Sequence, residues 1–300
     1  MFKKYKYHFA LHLIIFIWGF TGILGKLIHL SSEQIVWYRC FIAFVSMLIA
    51  LKIFKLPIRI PSKKLFWATL GVGVLVAMHW WTFYQSIYLS TASLGILCLS
   101  TVTLHVTWLE PLLFGKKFSW FEFLMGLLVV IGIYIVSDDF KGNEWQALMW
   151  GLTSALCAAL FSVFNAQLVQ KIPSTSMSIH EMGIGFIFLT GVLFYQGKLD
   201  TDIFEMRLSD GLWLLFLGIV CTCVSFIVTI EVMKKLGAFT VSLSINLEPV
   251  YTMILAVIIL HEHTLLGYKF YIGATVILSV LLLNALIKKR MEKSKTITSN

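Results

Sequence analysis

Ser244-Ile245-Asn246-Leu247-Glu248-Pro249-Val250-Tyr251 is the stretch on which the fold turns. It lies inside the apolar run 238–260, which is long enough to cross a bilayer as a helix. A carboxylate at the centre of such a run costs ~3 kcal/mol on insertion scales, so Glu248 should face a protein interior or a wet cavity. Pro249 removes one backbone donor and is expected to kink the helix, leaving carbonyls that must find partners inside the protein. The bland alternative is a packing kink, with Glu248 protonated and bonded to a neighbouring helix.

Working outward, the whole chain has this apolar character. Hydrophobic residues make up 59% and charged residues 13%, against about 45–50% and ~25% in soluble domains. The class is therefore an all-α integral membrane protein with short loops. Ten apolar runs are expected to span, at 8–27, 33–53, 65–88, 91–112, 120–137, 145–168, 177–196, 210–232, 238–260 and 267–287. The first run is longer than a signal-peptide core and has no small-residue cleavage site, so it is expected to be retained.

Charge orients these spans. Of the 24 Lys and Arg, 18 fall on one side, in 3–6, 52–64, 116–117, 171, 234–235 and 288–295. The loops of the other side carry Asp138, Asp139, Glu144, Asp200, Asp202, Glu205 and Asp210. This is a positive-inside pattern with both termini cytoplasmic. The net charge of +9 is thereby a topology signal that also favours anionic membrane lipids, and it calls for no nucleic-acid partner. The five cysteines all lie within spans and read as small buried packing residues. No metal-binding spacing occurs, and there is no Walker A motif, so ATP is not the direct energy source and no cofactor is expected.

Polar residues inside the runs are the candidates for chemistry. Span one carries Trp18, with Gly19, Gly22 and Gly25 making a smooth face for close helix contact. Span two places Arg39 about two turns from its outer end, where it either snorkels or serves a pathway. Span three reads His79-Trp80-Trp81-Thr82-Phe83-Tyr84, with His79 and Trp80 deeper than an interfacial aromatic belt. Span four carries Ser100 and His105, either structural or facing a cavity. Asn165 and Gln167 lie in span six, and His180-Glu181 near the start of span seven.

A pattern then repeats. The segment from Thr91-Ala92-Ser93 to Gly115-Lys116 resembles that from Ala238-Phe239-Thr240 to His261-Glu262, at an offset of about 146–147 residues. Five spans per half, an odd number, invert the second half (145–287) relative to the first (8–137). Inverted repeats place a solute site near the midplane and open it alternately to each side. The basic, Ser/Thr-rich segment 288–300 reads as a disordered cytoplasmic tail.

With these pieces in order, the chain resembles the EamA family of the drug/metabolite transporter superfamily. The resemblance rests on Trp18-Gly19-Phe20, Tyr38-Arg39, Phe83-Tyr84 to Thr91-Ala92-Ser93, Leu247-Glu248-Pro249 and His261-Glu262. Thr103 stands where the family often has a membrane proline, and Lys116 where an acid commonly follows glycine. The resemblance implies a carrier of small metabolites in the cell (inner) membrane rather than an enzyme, often an exporter of amino acids or of aromatic or amphipathic compounds. The expected substrate-binding set is Trp18, Arg39, His79, Trp80, Tyr84, Ser100, His105, Asn246 and Glu248. Trp80 and Tyr84 would stack on the solute, Arg39 would pair an anion, and Glu248 or a histidine would carry any coupling proton. A lipid or polyprenyl-carrier flippase is the alternative, and the small-residue faces leave a homodimer open.

Overall fold

The structure, a computed structural model, describes residues 2–298 except Leu56 and Asp139, so those two residues and the end of the tail lie outside the described residues. Every regular element among them is helical. In order these are α1 (Phe2–Leu27), α2 (Ser32–Phe54), α3 (Lys63–Leu89), α4 (Ala92–Leu99), α5 (Val102–Phe114), α6 (Trp120–Ser137), α7 (Glu144–Leu168) and α8 (Ser174–Tyr195). There follow α9 (Leu208–Leu215), a π-helical segment Phe216–Val224, α10 (Ser225–Leu236), α11 (Ala238–Ile245), α12 (Glu248–Ile259) and α13 (Tyr268–Thr298). Among the described residues, nine helices are long and apolar enough to cross a membrane.

The ninth expected span, 238–260, is not one kinked helix. It is two half-helices, α11 and α12, and Pro249 sits in the first turn of α12 rather than inside a helix. Proline fits there because the first N–H groups of a helix have no intrahelical acceptor to lose. The same break occurs in the fourth span, between α4 and α5 at Ser100-Thr101, without a proline. Ser100-Thr101 and Asn246-Leu247 are separated by the repeat offset of 146 residues. So are the positive-φ residues Gly115 (φ 65°) and His261 (φ 54°), each following a second half-helix. Helix α13 continues to Thr298, through most of the segment expected to be a disordered tail, because no Gly or Pro stops it.

Local chemistry sets the element ends. A capping box joins Ser31 and Gln34 at the start of α2, a device that satisfies two otherwise orphaned N–H groups. Thr91 Oγ1 accepts from the Leu94 N–H at 3.0 Å, which lets α4 begin at Ala92, two residues after Ser90. The glycines of α1 do what their spacing predicts: a Cβ on Gly19 or Gly22 would meet Tyr251 or Thr252 of α12 at 3.0 Å, and one on Gly25 would meet the Tyr84 ring at 2.8 Å. Large apolar side chains such as Ile187, Phe194 and Tyr134 remain exposed around the perimeter, as a lipid-facing surface requires. All five cysteines are buried and free.

The two ends of the bundle are fastened differently. Where α1 ends and α2 begins, charged contacts tie distant elements: Asp210 to His29 at 3.2 Å, Lys198 to Glu33, and Lys269 to Asp138. At the same end the Glu262 carboxylate accepts from the backbone N–H groups of Ala92 (2.7 Å) and Ser93 (3.0 Å), capping α4. At the opposite end the ion pairs among the described residues are local, Glu110 with Lys116 and Glu231 with Lys234.

Candidate functional site

A cavity of about 270 Å³ lies among α1, α2, α3, α4, α7, α8, α10 and α12. Five of the nine expected site residues line it: Trp18, Arg39, His79, Trp80 and Glu248. Arg39 is 4% exposed, and its guanidinium stacks 3.6 Å from the centroid of the Trp80 ring. Such a cation–π contact contributes about 2 kcal/mol or more when desolvated. Arg39 Nε donates to Thr222 Oγ1 at 3.0 Å, and the Tyr84 side chain lies close to the Arg39 side chain. No carboxylate among the described residues lies within 4.0 Å of the guanidinium. With five N–H donors, Arg39 keeps some that no hydrogen bond among the described residues uses.

The π-helical segment supports this corner from behind. Thr222 and Ser225 turn their hydroxyls onto the carbonyls five residues earlier, Leu217 and Val220, at 2.9 and 2.8 Å. Trp18 Nε1 donates to the Cys221 carbonyl at 3.2 Å, and Thr222 receives Arg39. One irregular stretch thereby fixes two cavity residues, in keeping with the frequent use of π-segments at functional sites.

His79 is held from α7. Ser154 Oγ donates its single proton to the His79 carbonyl at 2.8 Å, so toward the ring that oxygen acts as an acceptor. His79 Nδ1 therefore carries the hydrogen toward Ser154, with 2.8 Å to Oγ and 3.1 Å to the carbonyl. In the neutral ring this leaves Nε2 as an acceptor. Glu248 opens α12, where the helix dipole favours a negative charge. Its carboxylate has no hydrogen-bond partner among the described residues, so the packing-kink alternative, which bonded it to a neighbouring helix, lacks that bond.

Four expected residues do not line the cavity. Tyr84 is fully buried behind Arg39, its hydroxyl 3.3 Å from the Thr21 carbonyl, so it supports the cavity wall and does not stack within it. Ser100 Oγ and His105 Nδ1 are buried without partners near the α4–α5 break, and the His105 ring meets Trp108 edge-on at 6.2 Å. Asn246 forms the break before α12. Conversely, the cavity includes Asn165 of α7 and Glu181 of α8, along with Thr21, Phe161, Met177, Ser178 and Phe226. Spans six and seven thus also contribute walls to the cavity. Glu181 sits two turns inside α8 at 4% exposure, and an acid within an apolar run, even near its end, was the signal that could have marked it.

Two discontinuous helices and a buried arginine around an interior cavity are the parts of a multi-pass membrane transporter. The EamA-like transporter family model matches the chain twice, over residues 6–138 and 145–287, and the chain belongs to that family. It is similar to the "Uncharacterized transporter YdfC" of Bacillus subtilis (strain 168), at 23% identity over 256 residues, covering 81% of this chain and 80% of that protein. An "Uncharacterized transporter" of Archaeoglobus fulgidus is 24% identical over 206 residues, covering 67% and 69%. A solved crystal structure shares the fold with a TM-score of 0.64 at 12% identity, covering 94% of this chain and 98% of that one. Neither the family nor these relatives lend support to the lipid-carrier alternative.

Proposed function

We propose that the chain is a secondary transporter that exports small metabolites by alternating access, with ten transmembrane segments in two inverted five-helix repeats. The observation that carries this reading is the cavity itself. Arg39 stacks on Trp80 with no carboxylate within 4.0 Å, while Glu248 opens a half-helix on another wall. At about 270 Å³ the cavity is at the small end of ligand sites, which run from about 300 Å³ upward, so a single small solute fits the volume.

The chemistry of the walls points to the substrate class. Arg39 would bind an anionic group such as a carboxylate, and the Trp18, Trp80, Phe83, Phe161 and Phe226 rings would cover an apolar or aromatic side chain. An amino acid or an aromatic, amphipathic acid meets both requirements. The basic loops support placing both termini in the cytoplasm of a cell with this protein in its inner membrane. The end fastened by Glu262, Asp210 and Glu33 is then external. Asn165 and Ser178, near the opposite ends of α7 and α8, put the cavity's other limit on the cytoplasmic side.

Thermal unfolding of the purified protein against a panel of amino acids and aromatic acids tests this. A solute present at 100 times its Kd stabilises the native state by about 2.7 kcal/mol. One class of solute is expected to raise the melting temperature of the wild type, and Arg39→Gln or Trp80→Ala is expected to abolish that rise. A rise that survives both substitutions places the solute elsewhere.

A further inference from the structure

The cavity holds a second acid, Glu181, at the end formed by the last turns of α7 and the first turns of α8, and its surroundings leave a specific deficit. Asn165 lies beside it on the cavity wall, close enough for its side-chain amide to act on the carboxylate. Yet Glu181 Oε1 and Asn165 Oδ1 are both buried without a hydrogen-bond partner. Both orphans are acceptors, and an unpaired buried acceptor costs about 1–3 kcal/mol. One added proton removes both deficits: Asn165 Nδ2 donates to one carboxyl oxygen while the other, protonated, donates to Asn165 Oδ1. A solute cation would need room beside atoms that the fold has already closed off, whereas a proton needs none.

We propose that Glu181, paired with Asn165, is a proton-binding site of the transport cycle. It is neutral in this conformation and releases its proton when the cavity rearranges around it. The charged and titratable groups that share its cavity are Arg39 from α2, His79 from α3 and Glu248 from α12. Cys40 of α2 packs one turn away against Gly185. From α7 and α10 come Asn165 and the apolar Phe161 and Phe226, and His180 on α8 itself turns to the Ser176 carbonyl at 2.7 Å. Glu181 is therefore the acid with a neutral amide beside it, while Arg39 acts electrostatically on Glu248. Only the word "transport" in this proposal rests on the function proposed above.

pH-difference infrared spectroscopy of the full chain, reconstituted in phosphatidylcholine–phosphatidylglycerol vesicles without solute, reads the proton directly. A protonated-carboxyl band that disappears on alkalinisation is expected in the wild type and in Glu248→Gln. The band that Glu248→Gln retains should be absent when Glu181→Gln, an isostere of the neutral acid, is added to it, and shifted to higher frequency but retained in Asn165→Ala. A wild type without the band, or a band that Glu248→Gln retains and the Glu181→Gln, Glu248→Gln double variant does not lose, overturns the proposal. These outcomes are independent of any solute, so a missing band and a missing transport activity are separate results.

Discussion

Glu262→Leu is expected to destabilise the protein by roughly 2–4 kcal/mol, because it strands two buried backbone donors at once. Glu262 is 2% exposed and accepts from Ala92 and Ser93 at 2.7 and 3.0 Å. It comes from the second repeat and caps a helix of the first, so its loss also unties the two halves at one end. Glu262→Gln keeps a single carbonyl acceptor and turns an amide donor toward the other N–H, so about half the loss is expected. Thermal unfolding in detergent measures both, and an unchanged midpoint for Glu262→Leu would remove the cap from the account. The repeat makes the asymmetry visible. Lys116 occupies the position 146 residues earlier and pairs with Glu110 instead, and α11 starts at Gly237 with no side-chain cap.

The second large effect concerns α6 and α13. Gly273→Leu is expected to cost on the order of 3 kcal/mol or more, toward the upper end of overpacking penalties or beyond. A Cβ at Gly273 would lie 2.4 Å from the Gly132 carbonyl oxygen and 3.1 Å from the Val136 nitrogen. Those are backbone atoms, which cannot swing aside, so the two helices must separate. Gly191→Ala is the control: nothing lies within 4 Å of its added Cβ, and alanine has the better helix propensity. Equal unfolding midpoints for Gly273→Leu and wild type would contradict the close crossing.

Much of this was legible in the chain because water-avoiding runs announce themselves. The apolar spans, the buried cysteines and the close-packing glycines of α1 follow from composition and spacing. Trp18, Arg39, His79, Trp80 and Glu248 were legible for a related reason: polar or amphipathic groups deep in apolar runs need an interior. Depth, however, is not direction. Ser100, His105 and Asn246 lie at mid-depth, but a sequence does not say which way a helix face turns when the helix breaks at that level. Pro249 illustrates the same limit, since a missing N–H suits both a kink and a first turn. Glu181 and Asn165 were passed over because they stand nearer the ends of their runs, where polar groups usually meet the interface. The π-helical segment had no warning at all; Phe216–Val224 reads as an ordinary apolar helix.

The most direct test of the transporter reading is uptake by the purified protein in liposomes. A pooled set of amino acids and aromatic metabolites would be offered with and without a proton gradient. The account predicts that one solute class enters, and that Arg39→Gln and Trp80→Ala each reduce its rate at least tenfold. Folded protein that moves none of these solutes, or variants that move them as fast as the wild type, would contradict it.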